Sequence, residues 1–251
     1  MGNGRKGITG STLKWIAIIT MLIDHIGAIV MTRQVLYSWS AAGMYGEKET
    51  QILYYVMKLT RQIGRIAFPI FCFLLVEGFQ RTKDIKAYLL RMAGFAVLSE
   101  IPFNLAVSGK IFCPENQSVM LTMWIGLLLM QCCYRLEQYI EKRSVFYVTS
   151  TALVGAGMAA ADFLCTDYGA KGIAAIMVMY FLRRNRFRQV LGGCVCFAWE
   201  PAALFAFPFI WIYNGKRGMK MKWFFYFFYP VHLFLLYLIC VMLGLGSISV
   251  I

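Results

Sequence analysis

The chain has 251 residues, of which 60% are hydrophobic and only 15% are charged. Its mean hydropathy is +0.63, a value that a water-soluble domain of this size reaches only with large apolar patches on its surface. The composition therefore excludes a soluble globular protein and indicates an integral membrane protein. The net charge of +13 does not indicate nucleic-acid binding, because the basic residues lie in short loops, where membrane orientation and anionic lipid account for them.

Apolar segments of about 20 residues can cross the hydrocarbon core of a bilayer, and only as helices can they satisfy their backbone hydrogen bonds there. The sequence predicts an all-α polytopic bundle of about eight to nine transmembrane helices, in a single domain over residues 1–251. Residues 32–60 are predicted to form an outer loop with an amphipathic segment. In chain order, the predicted spans are 13–31, 62–79, 87–106, 119–134, 145–163, 169–182, 190–213 and 223–243.

Lys and Arg residues in the short loops predict the orientation of the chain. Basic groups open the first span and follow the second, fourth and sixth, which favours a cytoplasmic amino terminus in the cytoplasmic (inner) membrane of a bacterium. A further basic loop at residues 213–222 would face outward if 190–213 crossed once. Glu200 and Pro201 interrupt that segment, so two short helices that return the chain to the cytoplasm are favoured over one span.

The run "MLIDHIGAIV" places Asp24 and His25 inside the first predicted span, where ionisable side chains are costly and frequently functional. A neutral imidazole in a dry polar site can accept a proton near pH 7, so His25 is the candidate general base, with Asp24 or Glu100 orienting it. The alternative is a buried polar pair that only fixes helix packing. Further polar side chains predicted near the same outer level are Arg65, a candidate catalytic residue, and Asn104, Asn116 and Thr122, candidate substrate contacts.

His232, in "YPVHL" of the last span, is the only other histidine. It is predicted either to contact the substrate or to be a hydrogen-bonded packing residue beside Pro230. The eight cysteines form no pattern with the spacing of metal ligands, so no metal is expected.

Five blocks in order along the chain resemble the signature of the TraX family: "LKWIAIITMLIDHIGAI", "RQIGRIAFPIFCFLLVEGFQRTKDIKAYLLRM", "SEIPFNLA", "IYNGKRG" and "FYFFYPVHLFLLYL". This family is known for acetylation of the pilin amino terminus in conjugative plasmids. It is similar to the acyltransferase-three and lysosomal glucosaminide acetyltransferase families, which pass an acyl group from a cytoplasmic thioester to an acceptor across the membrane. The resemblance covers nearly the whole chain and implies a membrane acetyltransferase that uses acetyl-CoA.

The implied donor carries several phosphates, which basic residues at a cytoplasmic mouth would bind. The sharpest candidate is "YNGKRG", with Asn214, Lys216 and Arg217, where glycines let backbone amides approach a phosphate; Arg81 is a further candidate. An ordinary basic turn on the cytoplasmic side is the alternative. The expected partners are membrane lipid, acetyl-CoA and an acceptor, which is a pilin, a glycan or a small molecule; the oligomeric state is not indicated.

Two other classes of function stay open. Buried Asp, Glu, His and Arg side chains also build proton relays, so a proton-coupled transporter is one alternative. A non-catalytic assembly factor for pili or for secretion is the other.

Overall fold

The computed structural model describes residues 7–40 and 46–250. In these ranges the regular structure is helical, and strand pairing is limited to two isolated bridges, Ile8 with Tyr213 and Gln117 with Thr166. The all-α prediction is confirmed. The described residues form nine helices: α1 Gly10–Trp39, α2 Glu47–Arg81, α3 Ile85–Ser108, α4 Val119–Tyr139, α5 Arg143–Phe163, α6 Gly169–Phe181, α7 Arg186–Cys196, α8 Pro201–Trp211 and α9 Lys222–Met242.

Six helices of the described chain, α1 to α5 and α9, are long and apolar enough to cross a membrane. The prediction of a multi-pass membrane protein is therefore confirmed. The predicted spans at 169–182 and 190–213 correspond to shorter helices. The second of these is broken at residues 197–200 into α7 and α8, so the predicted interruption into two short helices is confirmed. That these helices return the chain to the cytoplasm stays a prediction. Pro201 begins α8, where a proline is tolerated because the first amide of a helix has no partner.

The prediction of a loop is wrong for residues 32–39 and 47–60, which are helical, whereas the predicted amphipathic segment is present. Residues 41–45 lie outside the described residues. α1 continues through Thr32 to Trp39, and α2 begins at Glu47, well before the predicted start at residue 62. The first half of α2 is amphipathic, and it packs along α1. Its polar residues lowered the hydropathy of the segment without interrupting the helix, because a helix satisfies its own backbone hydrogen bonds whether its surface is polar or apolar.

The chain divides into two compact units. Unit 1 comprises the described parts of Met1–Ile70, Leu98–Cys113 and Glu200–Ile251, and unit 2 comprises Phe71–Val97 and Pro114–Trp199. That residues 1–251 form a single domain stays a prediction, as does the cytoplasmic side of the amino terminus.

Backbone contacts define the two ends of unit 1. At one end, the chain before α1 pairs with the chain after α8: Ile8 N donates to Ile212 O at 3.2 Å, and Asn214 N donates to Ile8 O at 3.0 Å. At the other end, the segment after α9 contacts the end of α3, where Val250 N donates to Val107 O at 2.9 Å. Helices α1 and α9 run in the same direction, because Trp15 contacts Phe224 near their starts and Cys240 Sγ contacts Ile29 O further along both.

Two helices that begin in unit 1 deviate from regular α geometry, and a third contains an internal proline. α1 is π-helical over Ile26–Met31, directly after His25, and such segments are frequent at functional sites. α2 bends at residues 65–66, because Pro69 has no amide hydrogen to donate to the carbonyl of Arg65. α9 contains Pro230 two residues before His232.

Candidate functional site

Two histidines meet in the interior of unit 1. His25 Nδ1 of α1 lies 2.6 Å from His232 Nε2 of α9, and His232 Nδ1 lies 2.6 Å from the carbonyl oxygen of Phe228. The two imidazole planes differ by 24° and their centroids are 4.9 Å apart, which suits a hydrogen bond lying near both ring planes. His232 is buried, with 5% of its surface exposed, and His25 is half-buried.

The partner of His25 differs from the one expected. The sequence predicted that Asp24 or Glu100 would orient the imidazole, but its ring nitrogen contacts His232. The side chain of Asp24, the residue before His25, points about 100° away from that of His25 around the helix axis. The Asp24 carboxylate contacts Arg61 of α2. Glu100 is half-buried on α3. Their roles as catalytic residues stay predictions.

Two ion pairs lie in the same unit. Arg61 Nη1 is 2.6 Å from Asp24 Oδ2, and Arg65 Nε is 2.7 Å from Glu200 Oε1. The carboxylates are the less exposed partners, at 15% for Asp24 and 14% for Glu200, so each cation offsets part of the cost of removing its partner from water. Glu200 was missed as a site residue, although an acid next to Pro201 in an apolar stretch is a signal that could have found it.

Glycines allow α1 and α2 to approach closely around the Asp24–Arg61 pair. A Cβ atom on Gly64 would overlap the Asp24 side chain, and a Cβ atom on Gly27 would overlap the Thr60 side chain. Small residues at a helix crossing let two backbones come close, as is common in membrane helix bundles. The close crossing therefore depends on these two positions.

The remaining predicted substrate-contact residues lie in both units. Asn104 of unit 1 is buried, and its Nδ2 donates to Ile111 O at 3.2 Å. In unit 2, the buried Thr122 hydroxyl donates to the carbonyl of Asp167, and Asn116 is half-buried in the loop before α4. Their contact with a substrate stays a prediction.

The "YNGKRG" segment caps the start of α1. Lys216 O accepts from Gly10 N at 2.8 Å, and Arg217 O accepts from Ser11 N at 3.0 Å. The Asn214 side chain donates to Gly7 O and accepts from Lys216 N, both at 2.9 Å. The Lys216 amide thus already donates to the Asn214 side chain. The expectation that backbone amides here approach a phosphate stays a prediction. The cations of Lys216 and Arg217 are exposed, and no carboxylate of the described chain forms an ion pair with them.

Arg81 has a different environment in unit 2. Its Nη2 lies 2.7 Å from Glu77 Oε2, one turn earlier on α2, and the other Glu77 oxygen lies 3.5 Å from Arg186 Nη2. Part of the charge of Arg81 is therefore already compensated. Its role as a phosphate ligand stays a prediction.

Arg33 was missed by the sequence analysis, which placed it in the outer loop. It is fully buried in α1 near the end of unit 1 opposite the "YNGKRG" segment. Nε donates to Ile248 O at 2.7 Å, and Nη1 donates to Ala106 O at 2.6 Å. Ala106 lies in the last turn of α3, where the negative end of the helix dipole favours a cation. No pattern in the sequence indicates this contact.

Two comparisons with known proteins found matches to this chain. The family model described as TraX protein matches residues 9–240, a range that includes both histidines. "Probable fimbrial assembly protein FimC, serogroup H1" of Dichelobacter nodosus is 28% identical over 244 residues, which cover 89% of this chain and 92% of that relative. No solved structure matches the chain significantly. The resemblance of the five sequence blocks is thus confirmed over almost the full length, and the chain belongs to the TraX family.

Proposed function

We propose that this protein is a membrane acetyltransferase that moves an acetyl group from cytoplasmic acetyl-CoA to an amine or hydroxyl at the outer side of a bacterial cytoplasmic membrane. One observation carries the proposal. The imidazole of His25 is held within unit 1 by a bond from Nδ1 to His232, while its Nε2 has no hydrogen-bond partner among the described residues. A fixed imidazole with one ring nitrogen available is the arrangement that general-base catalysis requires.

The chemistry follows from that nitrogen. His25 Nε2 accepts the proton of the acceptor N–H or O–H while the acceptor atom attacks the thioester carbonyl carbon. The tetrahedral intermediate reforms its carbonyl as the carbon–sulfur bond breaks, and the leaving sulfur takes the proton from Nε2. The products are the acetylated acceptor and the free thiol of CoA, with His25 returned to its starting state. Arg65 is the proposed cation for the oxyanion.

The "YNGKRG" segment is the proposed binding site for the phosphates of the donor. Lys216 and Arg217 supply two exposed cations without a carboxylate partner, and both lie beside the start of α1. His25 is 15 residues further along α1 than Gly10, or about 22 Å at the rise of an α-helix. The extended pantetheine arm of CoA has a comparable length, so a donor bound by its phosphates at this end could present its thioester near His25.

The proposed acceptor is a pilin or fimbrial subunit, through its amino terminus. Two observations support it: membership in the TraX family, and similarity to a relative named as a probable fimbrial assembly protein. A glycan hydroxyl and a small exported molecule are the two alternative acceptors, and the experiment compares them with the pilin peptide.

The test uses the full chain reconstituted in vesicles, with acetyl-labelled acetyl-CoA on the side of the "YNGKRG" segment and a pilin peptide on the other. We expect label on the peptide amino terminus. His25→Ala should reduce the rate by about 100-fold or more, since a general base contributes about 10²–10⁴. Gly94→Ala is the matched control, because a Cβ atom there meets no atom within 4 Å. Unchanged transfer by folded His25→Ala, or no transfer to any of the three acceptor classes, would refute the proposal.

A further inference from the structure

The hydrogen bonds around the histidine pair specify which nitrogen of each ring carries the hydrogen. A carbonyl oxygen only accepts, so the short contact between Phe228 O and His232 Nδ1 requires a hydrogen on that nitrogen. An uncharged His232 then has a lone pair on Nε2, which must accept from His25 Nδ1. An uncharged His25 with its hydrogen on Nδ1 has its lone pair on Nε2.

We propose that His232 is a positioning residue that holds His25 in the Nδ1–H tautomer and so keeps the lone pair of His25 on Nε2. The effect of His232 on catalysis rests on the proposed function. The tautomers themselves do not, because they can be measured without any activity. In Ser-His-Asp enzymes an acid does the same for the catalytic histidine. Here a second imidazole, relayed to a backbone carbonyl, takes the place of the acid.

The surroundings restrain both rings in this geometry. The Phe228 ring stacks on His232 at 4.8 Å with planes 16° apart. The Tyr229 ring meets both imidazoles edge-on, at 6.2 Å from His25 and 5.7 Å from His232. These contacts prevent the imidazoles from flipping about χ2. Nδ1 of His25 and Nε2 of His232 therefore stay facing each other.

Charges near the pair favour two neutral rings. No carboxylate contacts either imidazole in the described part of the chain, and the nearest acid, Asp24, is bound to Arg61. The helical segments that pack against α1 carry the charged residues Glu47, Lys48, Glu49, Lys58 and Arg61 of α2 and Lys222 of α9. Of these, Arg61 forms an ion pair with α1, and its partner is Asp24 and not a histidine. A buried imidazolium without a partner is costly.

The experiment is ¹⁵N NMR of the full-length protein labelled only at histidine. The chain contains two histidines, so the spectrum holds two imidazoles, and His232→Gln assigns them by removing one. Free imidazole side chains prefer the Nε2–H form. We expect both wild-type rings in the Nδ1–H form. An Nε2–H form of His25, or a charged His232, would overturn the proposal.

Two variants test the catalytic consequence. In His232→Gln the side-chain oxygen can still accept from His25 Nδ1, so we expect His25 to keep its tautomer and most of kcat to remain. In His232→Leu no acceptor is left, so His25 should change to the Nε2–H form and kcat should fall about 100-fold with little change in KM. Unchanged tautomer and kcat in a folded His232→Leu variant would overturn the proposal. If the wild-type tautomers are as expected but no acetyl transfer occurs, the proposed function fails and the tautomer assignment stands.

Discussion

Replacing Gly64 by alanine tests whether the close crossing of α1 and α2 holds the Asp24–Arg61 pair in place. A Cβ atom at residue 64 would overlap the Cβ, Cγ and Oδ1 atoms of Asp24. The Asp24 carboxylate belongs to a side chain anchored on a neighbouring helix, so it can yield only by moving away from its present position. Such a movement breaks the 2.6 Å contact between Asp24 Oδ2 and Arg61 Nη1.

The expected free-energy change is the sum of opposing contributions. Overpacking costs about 1–3 kcal/mol, and loss of a half-exposed ion pair costs about 1 kcal/mol more. Alanine in place of glycine within a helix recovers about 0.5–1 kcal/mol. The net result is a destabilisation of about 2 kcal/mol, which for a chain of this size corresponds to a melting temperature lower by about 4–8 °C.

The assay is tryptophan fluorescence during thermal unfolding of the purified protein in detergent micelles. Gly94→Ala is the matched control, because it places the same methyl group in an α-helix where no atom lies within 4 Å. Gly94→Ala should keep or slightly raise the melting temperature, by the helix-propensity gain alone. Equal melting temperatures for the two variants would refute the close crossing and the place of Asp24 within it.

Three further predictions address the ends of unit 1. The double variant Lys216→Ala with Arg217→Ala should raise KM for acetyl-CoA by about tenfold or more with little change in kcat, since charged hydrogen bonds contribute about 1.5–3 kcal/mol each. Arg81→Ala should raise KM less, because Glu77 already pairs with Arg81. A larger rise in KM for Arg81→Ala than for the double variant, measured by steady-state kinetics, would contradict this prediction. Arg33→Met should lower stability by about 3 kcal/mol, because it leaves the buried carbonyl of Ala106 and the part-buried carbonyl of Ile248 without this donor. Thermal unfolding should show partial rescue by Arg33→Lys, and a neutral effect of Arg33→Met would rule out the contact. In a cysteine-free background, Lys220→Cys and Ser249→Cys should react with a membrane-impermeant thiol reagent from opposite sides of a sealed vesicle, and labelling of both from one side would contradict the opposite ends of unit 1.

Much of the architecture can be predicted because the bilayer limits the choices. In the bilayer core there is no water to pair with backbone N–H and C=O groups, so a segment must form these hydrogen bonds within itself. Long apolar segments therefore become helices whatever their neighbours are. The break before Pro201 was predictable for a similarly local reason, since proline removes a hydrogen bond and clashes with the preceding turn. The helical extension from Thr32 to Trp39 and the early start at Glu47 were not, because hydropathy does not mark where a helix continues beyond its apolar part.

The candidate site was predicted in composition but not in its contacts. Asp24 and His25 were recognisable because ionisable residues in an apolar span are rare and costly. Which groups they contact depends on the rotation of α1 and on its π-helical turn after His25, and neither can be obtained from hydropathy. The expected acid partner of His25 was therefore wrong, and the buried Arg33 was overlooked.

The sequence by itself determined that this is a multi-pass helical membrane protein of the TraX family, since its composition, apolar segments and ordered blocks are local properties of the chain. Only the tertiary structure decided that His25 meets His232, which is 207 residues away, and that Asp24 is bound to Arg61. The physical reason is that a side chain's partner is set by how whole helices pack and turn against one another. Local sequence places a histidine within a helix, but the packing of α1 against α9 places one imidazole beside the other.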